Sequence, residues 1–595
     1  MLEFQQHQGS LEYRLLTIGI PQPLIRPVIA EWVKWERCSG IEWTIKRLKG
    51  LKVDLIRAHS GLPMLTWVRK NRRGQVWGPI GGIFRWAEKS ERNFARAVQA
   101  FMAYTFYIFP CSTVEQEKKF LTAVTSTEPT GLSEDFLLDF SKTVRHVVHR
   151  RSLSGRVEPL VVYRGSSQKK APQLFGKRSV PQDQSVLTER EFLNTPGGSD
   201  LMVRYPEFYL EQLRGLSDYS YFSWVVSNHR ENESNFPSTE SSSEDFMGGE
   251  VHFLQEPGGK LRSVASPFRI HQRAMEPLGK SLYNLVRQLP WDCTFDQSRA
   301  HPYIQHHLAL GKRVHSVDLS SATDMFPLDL QLTALRAIYG DQERSIDLFE
   351  EISRSLWKSP VGEVRWTRGQ PLGLYPSFAA FTLTHGLLLR HLAGSFRNQF
   401  FVVGDDVIIL SDKLYEDYIS MLDRMACPWS SDKSLSSSLL AEFAGKIITS
   451  SRVIPQLKWR SVSDDNFLDI ARLLGPRSRV LLNRRQKRVF DALAHFCEPV
   501  GLNFSYPGST LAKMVESTLQ FYHPEEVVLG SLMGLRRRMQ ENLHSSDDFE
   551  GDPEVLEEIA STFDEKVKVA LSRTVFSRWE SSISLGLEGL ETVPE

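Results

Sequence analysis

The sequence predicts an α+β chain of several domains, and three observations carry that prediction. Strand and helix signals alternate from about residue 250 to 450, whereas the pattern from Leu481 onward is mainly helical. The 595 residues exceed what one compact core serves and correspond to roughly three to four domains. Apolar residues at 41% and charged residues at 24% match a globular chain and exclude a disordered, collagen-like or coiled-coil one.

Taken in order, residues 1–10 carry Glu3 and no Lys or Arg, and no apolar stretch follows, so no signal peptide is expected. Glu3 and Glu12 also interrupt any Arg-rich transit pattern. No apolar run approaches the roughly 18 residues of a membrane span. Cys38, Cys111, Cys293, Cys427 and Cys497 are far apart, with no C-x-x-C pair, which argues against a disulfide framework or a zinc site. Lys46 to Arg85 holds ten basic residues and one acid, Asp54, interleaved with Trp67, Trp77, Phe84 and Trp86. A second basic stretch runs from Lys142 to Arg156. Both suit phosphate tracking with aromatic stacking, and both suit a solvated surface over buried tryptophans. The net charge of +1 hides an asymmetry: from Glu541 to Glu595 there are 14 acidic and 4 basic residues, which leaves the remainder at +11. A basic body with an acidic tail points toward nucleic acid.

Residues 227–250, rich in Ser, Glu and Asn, read as a flexible loop or linker. In the segment 251–264, Pro257-Gly258-Gly259 signals a turn between two extended runs, and Lys260 and Arg262 share one face of the outgoing strand. Two cations on one face suit a triphosphate; a basic solvent face is the other reading. In 313–331 a strand ends at Asp318, a polar turn carries Asp324, and Pro327 suits a helix start. Asp324 reads either as a group facing a sugar or as an acid at a helix N-terminus. Gly369 and Gly373, in a Gly/Pro loop leading into an amphipathic helix, leave backbone bare for a nucleotide or template to approach. In 400–410, two β-branched runs flank Gly404-Asp405-Asp406, the pattern of a tight hairpin. If the Asp318 strand pairs with that hairpin, three carboxylates converge on oxygen-loving metals, as two-metal phosphoryl transfer needs.

In order and wording these segments resemble motifs F, A, B and C of viral RNA-dependent RNA polymerases. The wording is most similar to the mitovirus side of the narnavirus, mitovirus and ourmia-like group: EPGGKLR, CTFDQ, DLSSATDMFPLDLQ, GQPLGLYPSFAAFTLTH, VVGDDVII and AEFAGK. The clear resemblance spans about residues 250 to 450. It implies a right-hand polymerase with an antiparallel-sheet palm and a helical thumb. Residues 1–225 would be an N-terminal region and part of the fingers, 226–249 a loop, and 250–312 fingers with the triphosphate hairpin. Residues 313–450 would be the palm, and 451–595 the thumb with its acidic segment.

The resemblance further implies that Asp318 and Asp405 are the principal ligands of two Mg²⁺ ions, with Mn²⁺ as a substitute and Asp406 ancillary. Asp324 and Ser377, with Gly373, would serve the nucleotide, and its ribose 2′-hydroxyl would face Asp324 and Ser377. Lys260 and Arg262 would neutralise the triphosphate, and Lys433 would protonate pyrophosphate; a lysine on a solvated loop is its other reading. Arg484, Arg485, Lys487 and Arg488, within an acid-free run that also holds Arg477 and Arg479, would hold product RNA or simply start a basic surface helix.

Two positions depart from the common pattern. Phe381 stands where an Asn is usual, with Thr384 and His385 nearby as substitutes for ribose sensing, and Met325 stands in place of an Arg. The expected partners are an RNA template and product strand and ribonucleoside triphosphates, with no obligatory protein partner. The expected setting is a host mitochondrion or cytoplasm, without secretion. A reverse transcriptase would share the Asp-Asp turn but usually carries an aromatic there, and a silent RNA-binding protein would not need all three aspartates.

Overall fold

The computed structural model describes residues 7–153 apart from 67, 73 and 74, then 195–214, 246–459 and 467–494, with isolated positions between and after them. Most of the mainly helical stretch expected from Leu481 onward, the acidic segment from Glu541 and most of 226–249 lie outside the described residues.

Helices Gln8–Ile18, Gln22–His59, Gly78–Ala87 and Glu91–Phe101 form an N-terminal layer. The second is broken at Gly40 (φ +82°), so residues 41–59 run as a helix of their own. Leu15, Trp32, Leu48, Leu51, Leu55, Phe94 and Phe101 are buried in one cluster that also takes in Leu435, Leu440, Ile447 and Ile454 from far along the chain. Asp54, the one acid of the first basic stretch, is buried and accepts hydrogen bonds from the Leu65 N–H (2.6 Å) and the Thr66 N–H (3.2 Å). It holds the chain where it leaves the helix. Trp77 is exposed, with the Arg69 guanidinium 4.2 Å from its ring centre, so this pair sits on the surface.

The strands are β1 (Met247–Glu256), β2 (Lys260–Pro267), β3 (Val314–Asp318), β4 (Leu356–Ser359), β5 (Gly362–Val364), β6 (Phe400–Val403), β7 (Asp406–Ile409), β8 (Leu435–Ser437), β9 (Leu440–Phe443), β10 (Lys446–Thr449) and β11 (Val453–Pro455). They make three sheets, ordered β2-β1-β4-β5, β6-β7-β3-β8 and β11-β10-β9. β1 begins inside the stretch expected as a linker, because residues 247–250 pair in parallel with 356–358. The third sheet continues past residue 450, the expected domain boundary, because β11 pairs with β10.

The second sheet is antiparallel throughout. Its apolar residues alternate between two cores, as a strand buried on both faces requires. Phe400, Val402, Val407, Ile409 and Val317 join the large core that contains most of the Ser377–Ala393 helix. Phe401, Ile408 and Val314 face Ile304, Leu308, Phe443 and Ile448. Among the described residues no helix is long and apolar enough to cross a membrane, and Cys38, Cys111, Cys293 and Cys427 are free thiols.

Candidate active site

The ladder between β3 and β7 sets Asp318 directly opposite Asp406. Opposed residues of an antiparallel pair put their side chains on one face, so these two carboxylates share it. Between Val403 and Asp406, which pair, only Gly404 and Asp405 remain to make the hairpin loop. Gly404 has φ +59°, the left-handed first position that a tight primed hairpin favours. Asp405 stands exposed at the tip. The strand that ends at Asp318 pairs with this hairpin, and the register puts Asp406 rather than Asp405 directly opposite Asp318.

Burial pushes the Asp406 carboxyl up to about 7, and the charges of Asp405, Asp318 and Glu442 add to this, while Lys260 opposes it. Glu442 is a fourth carboxylate, from the AEFAGK segment, that the sequence reading left unassigned. Its N–H donates to Ser316 Oγ (2.9 Å) and its Oε1 accepts from Gln456 Nε2 (2.6 Å). A cavity of about 90 Å³ is lined by Asp318, Asp406, Lys433 and Glu442 on one side and by Lys52, Val53, Ile56 and Arg57 of the N-terminal layer on the other.

Lys433 Nζ lies 2.7 Å from Asp318 Oδ2. The local backbone explains the approach: the Ser430 N–H donates to the Asp318 carbonyl (2.8 Å), and the Asp318 N–H to Ser434 Oγ (3.2 Å), which fastens the loop to the end of β3. Burial alone would lower the Lys433 pKa, but attraction and hydrogen bonding to Asp318 outweigh it, so the ammonium is held protonated.

The donor set around this face is all carboxylate oxygen, which fits a hard divalent cation, and so does the mutual repulsion at Asp406. Among the described residues no group of three or more such side chains is gathered closely enough to hold a metal ion.

The hairpin tip is clamped from behind by the Ser377–Ala393 helix. The Gly404 N–H donates to Thr382 Oγ1 (3.1 Å), which in turn donates to the buried Asp292 Oδ2 (3.0 Å). The Gly404 carbonyl lies 2.8 Å from His385 Nδ1. A carbonyl only accepts, so Nδ1 carries the proton and Nε2 accepts from the Tyr418 hydroxyl at 2.5 Å. Burial pushes His385 down to about 4, so the ring is neutral. Both nitrogens are occupied, which removes His385 from ribose sensing. Phe381, in the place of the usual Asn, packs edge-on against Phe326 (5.1 Å) and beside His385 (5.5 Å) as part of the core. A histidine in the middle of this helix, followed 19 residues on by a glycine turn, was the available signal for this clamp; spacing alone did not connect them.

The glycines of the 368–377 loop have a different use from the one expected. A Cβ on Gly373 would lie 1.8 Å from the Ala265 carbonyl oxygen, and one on Gly369 would lie 2.1 Å from that of Thr323. The bare backbone is approached by protein, on β2 and on the Asp324 turn, rather than left open to a nucleotide. The Ala265 N–H donates to the Leu372 carbonyl (2.7 Å) and the Gly369 N–H to the Asp324 carbonyl (3.1 Å), which seals both contacts. Ser377 is 1% exposed, and its hydroxyl has no hydrogen-bond partner among the described residues. It is therefore closed off from a ribose in this structure. Asp324 accepts from Trp366 Nε1 (2.9 Å); burial pushes its carboxyl up to about 6 against that hydrogen bond.

On the β1–β2 hairpin the expected pair of cations separates. Arg262 is bonded to Glu256 (3.1 Å), while the charge of Lys260 reaches Asp406. The glycines at the hairpin turn are covered by the N-terminal layer: the Gly258 N–H donates to the Tyr107 carbonyl at 2.7 Å. Far from these groups in sequence, Arg484, Arg485, Lys487 and Arg488 lie on the Arg484–Leu493 helix, whose start is capped by Asn483 and Gln486. Arg484 and Arg488 are exposed, whereas Arg479 is already paired with Asp491 (2.7 Å). In the second basic stretch Arg151 is likewise engaged, with Gln288 (2.7 Å).

Comparison with known proteins finds relatives of the stretch that holds these residues. Residues 203–470 match the family described as Mitovirus RNA-dependent RNA polymerase. The chain is 31% identical over 205 residues to the RNA-directed RNA polymerase of Cryphonectria parasitica mitovirus 1, a match spanning 33% of this chain and 25% of that protein. An uncharacterized mitochondrial protein of Arabidopsis thaliana is 26% identical over 249 residues, 38% of this chain and 95% of that one. Among solved structures, the RNA-dependent RNA polymerase of a human picorbirnavirus aligns with 47% of this chain and 61% of its own, at 15% identity and a TM-score of 0.30. Asp318, Asp405, Asp406, Lys260, Lys433 and Glu442 all fall inside residues 203–470, the stretch over which the chain is similar to mitovirus RNA-dependent RNA polymerases.

Proposed function

We propose that the protein copies a positive-strand viral RNA genome, adding ribonucleoside triphosphates to an RNA 3′-hydroxyl under template direction and releasing pyrophosphate. The observation that carries this reading is the register that faces Asp318 with Asp406 and sets Asp405 at the adjoining tip, inside the stretch that matches the polymerase family. Catalysis of this kind is mainly positioning and charge stabilisation.

The antiparallel sheet β6-β7-β3-β8 serves as the palm, the β1–β2 hairpin belongs to the fingers, and the helices Phe467–Leu474 and Arg484–Leu493 belong to the thumb. Asp318, Asp405 and Asp406 would hold two Mg²⁺ ions, or Mn²⁺ in their place. Bound there, such ions lower the pKa of an attacking hydroxyl and stabilise the pyrophosphate leaving group. Lys260 draws the triphosphate toward the carboxylates. Lys433, held protonated beside Asp318, is the proton donor to departing pyrophosphate. Asp324, fixed by Trp366 next to the 368–377 loop, is the group for the ribose 2′-hydroxyl, and Ser377 is left out of that contact. Arg484 and Arg488 face solvent where product phosphates can reach them. The setting is a host mitochondrion or cytosol, the former favoured by the plant relative's description as mitochondrial.

Purified full-length protein incubated with an RNA template, labelled UTP and Mg²⁺ tests the proposal. Wild type incorporates label, and Asp405→Ala and Asp406→Asn do not. Equal incorporation by a variant, or equally good use of deoxynucleotides, overturns it.

A further inference from the structure

The helical run from 41 to 59 turns a basic edge toward the catalytic face that the reading above leaves unused. Lys49 and Lys52 are three residues apart, hence neighbours on one side of that helix. Lys52 lines the cavity shared with Asp318 and Asp406; its ammonium is 3.7 Å from Glu442 and 2.6 Å from Gln456 Oε1. Lys49 reaches the turn from which Lys260 projects. Its Cε lies 3.7 Å from the point a Cβ on Gly258 would occupy, and its ammonium is 5.3 Å from the ring centre of Tyr104, which covers that glycine.

Among the described residues neither Lys49 nor Lys260 has a carboxylate within ion-pair distance. Burial pushes the Lys49 ammonium down to about 8, and the charges of Lys433, Lys260 and Lys52 contribute to this in that order. Lys52 and Lys433 already lean on Glu442 and Asp318, whereas like charges that neighbour one another, as around Lys49, favour an anion drawn in between them. An RNA strand spreads single charges along its length, whereas a di- or triphosphate concentrates several in one compact group. Lys52 and Lys433 line the same cavity beside Asp406, and the charge of Lys260 reaches both Asp406 and Lys49, a grouping that matches the compact anion.

We propose that Lys49 and Lys52 form the second wall of a polyphosphate site whose first wall is Lys260 and Lys433, its occupant being the triphosphate of the incoming ribonucleotide or the pyrophosphate released from it. The N-terminal layer thereby contributes binding groups from outside the family-matched stretch. This deepens the polymerase reading and rests on it for the identity of the occupant.

Calorimetric titration of the full-length protein with inorganic pyrophosphate and, separately, with GTP tests the site without requiring turnover. Lys49→Met keeps the stem that lies on Gly258 and removes the charge. It should weaken both ligands about tenfold, Lys49→Arg should restore them to within about threefold, and Lys413→Ala, exposed on another helix, should change neither. Lys52→Gln gives an independent second variant should Lys49→Met melt early. Loss confined to GTP assigns the occupant as the incoming triphosphate, and loss confined to pyrophosphate assigns it as the product. No binding by wild type, affinities unchanged within about twofold in the variants, or a loss seen only for RNA overturns the site. Lys49-dependent polyphosphate binding without ribonucleotide incorporation by wild type would keep the site and remove the reaction. Incorporation with an unaltered nucleotide KM in Lys49→Met would do the reverse.

Discussion

His385 donates its Nδ1 proton to the carbonyl oxygen of Gly404 across 2.8 Å, and so the residue before the Asp-Asp pair is held by a helix that carries no catalytic acid. With Thr382 accepting from the same glycine's N–H at 3.1 Å, both backbone groups of Gly404 are fixed. The carboxylates that follow are aimed by that clamp.

Loosening it should therefore cost rate more than nucleotide binding. Thr382→Val and His385→Leu are each expected to lower kcat by about ten- to a hundredfold with nucleotide KM within about twofold, because small misplacements at a reacting centre are costly. Thr382→Ser, which keeps the hydroxyl, should retain most of the rate. Steady-state incorporation kinetics separate the two parameters, and a rise in KM at constant kcat would contradict the positioning role.

Lys433 and a divalent cation compete for Asp318, since the ammonium is already 2.7 Å from one carboxylate oxygen. Lys433→Met should tighten Mn²⁺ binding about threefold, the scale of a mainly exposed ion pair, while slowing incorporation. Electron paramagnetic resonance of free Mn²⁺ reports the affinity without any reaction. Weaker binding would mean that the lysine organises the ligands instead of occupying them.

Gly373 is confined by backbone on another strand. Alanine there would place its Cβ 1.8 Å from the Ala265 oxygen at a φ of +139°, so overpacking and a disfavoured backbone add together. Gly373→Ala should lower the stability of the full chain by about 3 kcal/mol or more, read from denaturant midpoints.

Two buried histidines impose a pH dependence on folding. His271, bonded to Tyr209 and the Pro196 carbonyl, and His385 are both pushed by burial down to about 4 from an ordinary 6.5. Below 6.5 the unfolded chain takes up protons that the folded chain refuses until about 4, so stability present above that window is lost as pH falls through it. Melting temperatures between pH 7 and 4 should fall less steeply for His271→Gln than for wild type. The difference between the two curves isolates the histidine from carboxylates such as Asp324, whose raised pKa acts in the opposite sense.

The strand and turn patterns of 251–264, 313–324 and 400–410 were legible because alternation and turn residues are local. They yielded β1 with β2, the end of β3 at Asp318 and the β6–β7 hairpin. Which aspartate faces Asp318 was not legible, since register depends on where two distant strands meet. Gly369 and Gly373 were recognised as positions needing bare backbone, but what approaches them is set by β2 and the Asp324 turn. Arg262 looked equivalent to Lys260 until Glu256, across the hairpin, engaged it. Lys49 and Lys52 were visible only as part of a basic run, because nothing local relates residue 52 to residue 442.

The seam between the N-terminal layer and the third sheet has a consequence for how the molecule can be divided. Arg14 bonds the Trp459 carbonyl (3.0 Å), Gln99 bonds the Pro455 carbonyl (2.6 Å), and Trp459 returns its indole N–H to the Gln99 carbonyl (2.8 Å). Leu435, Leu440, Ile447 and Ile454 spend their apolar surface on the same partner. The family-matched stretch of 203–470 is consequently no free-standing module. Cut away from residues 7–107, it would present that oily flank to water and leave the tip of the β1–β2 hairpin without the Tyr107 carbonyl to rest on.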